Sequence, residues 1–194
     1  MKKISYLLVL FLLFAATGCG IQSIPRAKNE VEAAWAEVLN QYKRRADLVP
    51  NLVETVKGYA KHEKGTLEGV VEARAKALKT TVNVENLNEA NLKEFQNAQS
   101  GLSAALSRLL VVVERYPDLK ANQNFRDLQV QLEGTENRIT TARRRYIETI
   151  QKFNNYVTVI PTSWTNSLFF HFQKMPQFTI EDEQQKKDAP KISF

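Results

Sequence analysis

The feature that most constrains this chain is an apolar rhythm that allows little except long, packed helices. Val31, Trp35, Val38, Tyr42, Val49, Leu52, Val56 and Tyr59 recur at alternating spacings of four and three, the seam of a helical bundle or coiled coil. The seam crosses Pro50 in phase, so a kink or short break is expected there. Gly65 is expected to end this helix as a C-terminal glycine. A shorter helix carries Leu67, Val70, Val71, Arg74 and Leu78, and residues 80–88 read as a loop. A third puts Leu92, Phe95, Leu102, Leu106, Leu109 and Val113 on one stripe and stops before Pro117, because the residue before proline resists the α conformation. The fourth, from about Asn122 to Val157, repeats Phe125, Leu128, Leu132, Ile139, Ala142, Tyr146 and Phe153. After it, Pro161, Pro176 and Pro190 interrupt a cluster of Trp164, Leu168, Phe169, Phe170, Phe172 and Phe178, read as an irregular strap lying on the helices. The expected fold is all-α: an elongated antiparallel helical bundle with two long and two shorter helices plus this aromatic-rich C-terminal strap.

Composition narrows the chemistry. With seven Gly and six Pro in 194 residues, a many-turned β-sandwich or a Gly-rich phosphate loop has little room. One Cys excludes a disulfide framework and two His exclude a tri-histidine zinc site. A formal charge of +6 makes an anionic partner worth considering.

The N-terminus reads as an export signal. Lys2 and Lys3 precede the apolar run Tyr6–Ala16, and the small residues Ala16, Thr17 and Gly18 lead to Cys19. Ile4 to Cys19 is sixteen residues, short of the roughly 20 that span a bilayer. The small residues before the sole Cys resemble a bacterial lipobox, although Ala16 stands where Leu is favoured. The expected layout is a signal peptide (1–18), a lipidated Cys19 with a tether (19–25), a helical domain with its strap (26–180) and a charged tail (181–194). An uncleaved single-span inner-membrane anchor is the alternative. Gly20 follows Cys19, so the aspartate that retains lipoproteins in the inner membrane is absent. In a two-membrane organism this points to the outer membrane, with the bundle in the periplasm.

Two blocks carry a family resemblance: RRADLVPNLVETVKGYAKHE (Arg44–Glu63) and ERYPDLKANQNFRDLQVQLEGTENRITTARRRYIETIQKFN (Glu114–Asn154). With FFHFQKMPQF and the closing PKISF, they resemble the LemA family of bacterial membrane-associated helical proteins over most of residues 26–194. The resemblance implies a long helical bundle behind an N-terminal membrane anchor and no established enzymatic activity. It also implies candidate partners, a heat-shock-type membrane metalloprotease or an envelope protein with a TPM domain.

No catalytic or cofactor constellation emerges from the residues. His62-Glu63 begins like HExxH, but Thr66 occupies the place of the second His. Lys64-Gly65-Thr66 reverses the order a P-loop needs and follows a helix. Glu133 and Glu136 lack the Glu-x-x-His pairs of a di-metal bundle. His171, between Phe170 and Phe172, reads as a packing residue. Lys43, Arg44, Arg143 and Arg144 are candidates for a surface that meets acidic segments or lipid head groups. The competing reading is helix-surface pairing, Lys43 with Asp47 and Arg144 with Glu148, worth roughly 0.2–0.5 kcal/mol each. Nucleic acid is not an expected partner. The expected function is a non-enzymatic, lipid-anchored scaffold or adaptor in the bacterial envelope, either alone or as a homo-oligomer. A regulatory subunit of an envelope metalloprotease or TPM-domain protein is the alternative.

One residue breaks the first seam. Arg45 falls where the rhythm asks for an apolar side chain. An unpaired buried guanidinium is costly, so a carboxylate from the fourth helix is expected to meet it, Glu133 or Glu136, beside the small Gly134 and Thr135. On that reading Arg45→Ala leaves the acid buried and alone, at a cost of about 3 kcal/mol.

Overall fold

The structure is a computed structural model that describes residues 22–178; the signal, Cys19 and the tail from 181 onward lie outside the described residues. Among the described residues every regular element is helical: α1 (Ser23–Tyr59), α2 (Lys64–Lys79), α3 (Glu89–Val113), α4 (Pro117–Ala121), α5 (Gln123–Thr158) and the single turn α6 (Thr162–Thr165). A 3-10 turn covers Val84–Asn86 and a π-helical turn covers Asn166–Phe170. The all-α class is the one the apolar rhythm demands. Two of the starts are capped by side chains: Asn88 Oδ1 accepts from Asn91 N at 2.9 Å and Asn122 Oδ1 from Phe125 N at 3.1 Å, each satisfying a donor the first helical turn leaves open.

α1 and α5 are each about 54 Å long at 1.5 Å per residue and run antiparallel. Lys152–Glu30, Tyr146–Trp35, Glu136–Arg45 and Asn122–Tyr59 mark successive levels, the numbers rising on one helix as they fall on the other. α2 runs back along α1, and α3 runs back along α2, as the pairs Arg74–Ala46, Gln99–Ala77 and Arg115–Glu63 show.

Three local expectations are corrected. The first helix ends at Tyr59, where Ala60 N–H donates to the Val56 carbonyl at 2.8 Å; Gly65 sits in the first turn of α2. A glycine terminator works by taking a left-handed conformation, and no described glycine has positive φ. Second, α4 is an extra turn with Pro117 at its start and Leu119 buried. Third, of the kink or short break expected at Pro50 the break is absent, and α1 runs through it. Proline has no N–H, so it cannot bond the carbonyl four residues back, which is that of Ala46. Arg74 Nε of α2 donates to that carbonyl at 2.7 Å, and the orphaned acceptor is satisfied from outside the helix.

The buried side chains form two cores stacked along the long axis. One, at the end where residue 22 emerges, is aromatic: Trp35, Tyr42, Phe95, Tyr146, Phe153 and Phe178 with Ile24, Val31 and Ile150. The other is mainly aliphatic, built on Val49, Leu52, Val56, Leu102, Leu109 and Leu119 with Phe125.

The segment after α5 is held by two asparagines. Asn154 Nδ2 donates to the Met175 carbonyl at 3.0 Å, and Asn154 Oδ1 accepts from Met175 N at 2.9 Å. Asn166 makes the same two-way pair with Phe172 at 2.9 and 3.0 Å. Phe178 is thereby set against Trp35 and Tyr146. The aromatic cluster does not act as one body, however. Phe178 is buried, Phe170 and Phe172 are partly buried, and Trp164, Leu168 and Phe169 point to solvent with exposures of 64, 72 and 65%. His171 is exposed at the left-handed position that ends the π turn, φ 57°, which takes it out of the core.

Candidate functional site

Between the two cores lies a polar layer centred on Arg45, which is 1% exposed. Its Nη1 donates to Glu136 Oε1 at 2.8 Å and to Ser103 Oγ at 2.7 Å. Nη2 donates to the Gln99 side-chain carbonyl at 2.8 Å and to its backbone carbonyl at 3.1 Å. The guanidinium also faces the Tyr42 ring, 5.1 Å from its centroid, a favourable contact between cation and ring quadrupole. Only Nε finds no partner. Gln99 Nε2 in turn donates at 3.3 Å to the Ala77 carbonyl in the last turn of α2, one of the acceptors a helix end leaves open. Thr135 completes the layer by donating its hydroxyl to the Gln131 carbonyl at 2.7 Å. All four principal helices are joined at this level.

The layer opens on a cleft of about 410 Å³ lined by Tyr42, Arg45, Gln99, Ser103, Glu136 and Arg143 among others. Burial pushes the Tyr42 hydroxyl above its ordinary pKa, and the cations of Arg143 and Arg45 beside it work the other way. Tyr146, wholly buried and with no partner for its hydroxyl, is held well above the ordinary value by burial alone. Glu136 stands at the cleft mouth with its side chain 45% exposed, against 2% for Arg45. The charge that is taken out of water is therefore the arginine's. This reverses the reading in which a buried acid is stranded by Arg45→Ala: without Arg45, Glu136 can hydrate. Both Nη atoms are engaged by acceptors from α3 and α5, so the arrangement holds the helices in register.

Of the other singled-out residues, Arg143 reaches the cleft and the rest lie apart from it. Glu133 faces Gln129, whose amide donates to it at 3.1 Å, and takes no part in the layer. Arg143 lays its guanidinium over the Phe178 ring at 4.6 Å. Arg144 lies 3.9 Å from Glu148 on the surface. Lys43 and Arg44 are exposed, while Asp47, offered as a partner for Lys43, stands 4.0 Å from Arg74. His62 is exposed. Among the described residues no group of three or more His, Cys, Asp or Glu could hold a metal ion, and no helix is long and apolar enough to cross a membrane.

Gln99 and Ser103 escaped the sequence reading, although Gln99 carried a signal. Position 99 lies on the α3 stripe between Phe95 and Leu102, as Thr135 lies on the α5 stripe between Leu132 and Ile139. Each of the three long helices thus carries a buried polar residue on its seam, Arg45, Gln99 or Thr135, and the fold brings the three to one height.

A second concave feature lies on the aliphatic half. α1 and α2 flank a groove of about 800 Å³ whose floor is Val53, Leu67 and Val71, with Lys57, Lys61 and Lys64 and the acids Glu54, Glu68 and Glu72 along its lips. Val71 on this groove is 51% exposed.

The fold and its polar layer define an elongated all-α bundle protein with a charged side chain buried between its two cores. The LemA family model matches residues 34–194, and the chain belongs to the LemA family. Protein LemA of Metamycoplasma hominis is 26% identical over 141 residues, which is 73% of this chain and 59% of that protein. The chain spans about three fifths of the length of that relative.

Proposed function

We propose that the protein is a non-enzymatic scaffold or adaptor of the bacterial envelope, held at a membrane by a lipidated Cys19, and that it docks an amphipathic helix of a partner protein in the α1–α2 groove. The groove carries this reading. Its floor is a row of apolar side chains between two antiparallel helices, the geometry into which the ridge of a further helix packs. Lips bearing both signs of charge suit a helix with charged flanks, and favour register more than raw affinity. The signal-like N-terminus supplies the anchor, since a multiply acylated Cys gives stable attachment where one chain does not.

A photo-crosslinker at Val71, with a control at the exposed Val130 on α5, tests the groove in native membranes. One partner captured at Val71 and absent at Val130, and lost on Val71→Glu without loss of helicity, is the expected result. Equal capture at both positions, or reproducible turnover in a hydrolase screen of pure protein, overturns it. If the captured partner is a protease whose rate changes when this chain is removed, the protein is a regulator and not a passive scaffold. Intact mass of the membrane-extracted protein tests the anchor: acylation at Cys19 is expected, and an unprocessed chain beginning at Met1 contradicts it.

A further inference from the structure

We infer that the tip formed by Val159, Ile160, Trp164, Leu168 and Phe169 dips into the surface of an anionic lipid bilayer and gives the bundle a second point of membrane contact; this rests on the proposed membrane anchor. The five side chains are 55–72% exposed although all are apolar, and they fall within eleven residues of one another. So many large exposed apolar groups in one short segment, from the end of α5 through α6 to the π turn, mark a contact surface. Trp in particular favours the headgroup level, where its ring is apolar and its N–H stays wet.

The position of the tip selects lipid as the occupant. It begins at Val159, directly after α5, and α5 ends beside the start of α1: Gln22, Ser23 and Arg26 line one cleft with Lys152 and Tyr156. The chain that leads back to Cys19 and the apolar run Tyr6–Ala16 therefore leaves the bundle at the end that carries the tip. Charge agrees. Residues 149–180 contain no Asp or Glu, and neither do residues 20–29, whereas Arg26, Lys28, Lys152 and Lys174 lie in those stretches. Glu30 and Glu32 adjoin this end, but Lys152 pairs with Glu30 at 2.8 Å and Lys28 with Glu32 at 3.2 Å, so these acids are neutralised before an anionic surface approaches. The tip is also tied down: the Asn166–Phe172 clasp closes the turn, and Lys28 sits over the Phe172 ring at 5.4 Å. Its apolar groups reach lipid without a large ordering cost.

Trp164 reports on this directly, because the other tryptophan, Trp35, is 1% exposed in the core and out of reach of lipid. Full-length protein is reconstituted in vesicles of phosphatidylethanolamine and phosphatidylglycerol, with lipids brominated at shallow or deep acyl positions. The expected result is a blue-shifted Trp164 emission that shallow bromines quench more than deep ones. Trp164→Phe should abolish the quenching, and Leu168→Ser with Phe169→Ser should reduce it sharply while flotation and helicity persist. Flotation with Trp164 unquenched overturns the tip contact and leaves the anchor intact, as it does if a protein covers the tip instead. Failure of flotation in both the native chain and the double variant overturns the anchor and the tip together. Quenching that survives Cys19→Ser supports the tip independently of lipidation.

Discussion

The two halves of the bundle are built from the same helices yet stabilised differently. The half near residue 22 packs rings: Trp35 meets Phe95, Tyr146 and Phe178 at centroid separations of 5.4, 5.0 and 5.9 Å, and its indole N–H donates to the Val82 carbonyl at 2.8 Å. The other half is filled by Leu, Val and Ala in four-helix packing. In the aromatic half α2 is missing, and loop 80–88 and residues 170–178 stand in for it, supplying Val82, Leu87 and Phe178. Large rings fill the irregular space that loops leave, because each buries a large area on few rotatable bonds. Regular helices on all sides suit smaller branched side chains that interdigitate. The Arg45 layer is the joint between these two solutions.

The largest effect should come from the aromatic half. Trp35→Ala removes three ring contacts and a buried hydrogen bond, and a loss of about 4 kcal/mol is expected, against about 3 kcal/mol for Leu109→Ala on the aliphatic side. Denaturant melts of both should each show one transition if the layer couples the halves. Two separate transitions in either variant would break the picture of a joined bundle.

The joint itself comes next. Glu136→Ala leaves a buried guanidinium with only neutral acceptors and should cost about 2 kcal/mol, a figure reduced from that of a fully buried pair because Glu136 is half exposed and the cleft admits water. Arg45→Met keeps the volume, frees Glu136 to hydrate and should cost about 1 kcal/mol less than that. The double variant should be more stable than Glu136→Ala alone. If Arg45→Met is the most damaging of the three, the charge is not what the fold is accommodating.

Pro50 and Arg74 sharpen the aliphatic half. Arg74→Ala strips the Ala46 carbonyl of its only described donor and should cost about 1 kcal/mol. In a Pro50→Ala background the helix supplies its own donor, so the same change should cost much less. Equal losses in both backgrounds would mean that Arg74 acts through packing or Asp47 instead.

The smallest effect belongs to Tyr146→Phe, which removes a buried hydroxyl that has no partner and should be neutral or slightly stabilising at pH 7. Its consequence is in alkali. The folded state holds this hydroxyl above its ordinary value of 10.0, so the stability it lends is complete below pH 10 and is lost as pH rises toward the folded value, because the unfolded chain ionises first. Tyr146→Phe should therefore flatten the alkaline end of the stability profile; an unchanged profile would put the loss on Tyr42 or on lysine deprotonation.

What the sequence determined by itself was whatever depends on near neighbours. The period of the seams made the long helices legible, apart from the C-terminal end of α1, since a helix face repeats every three or four positions whatever it packs against. Asn122 stood at the start of α5 because a side chain there caps its own backbone. Arg45 announced itself as a charge on an apolar stripe. Which groups would meet it was decided elsewhere. Glu133 and Glu136 are three apart on one helix and equally near in sequence, and only the rotation of α5 against α1 turns Glu136 inward. Gln99 and Ser103 come from a helix whose height is set by the turn after α2. The rescue of the Pro50 carbonyl by Arg74, twenty-eight residues away, has no local signature at all. The same holds at the tip, where the sequence shows a run of rings and only the tertiary structure separates Phe178 in the core from Trp164 in solvent. Local propensity is written along the chain, while burial is a property of what arrives from far along it.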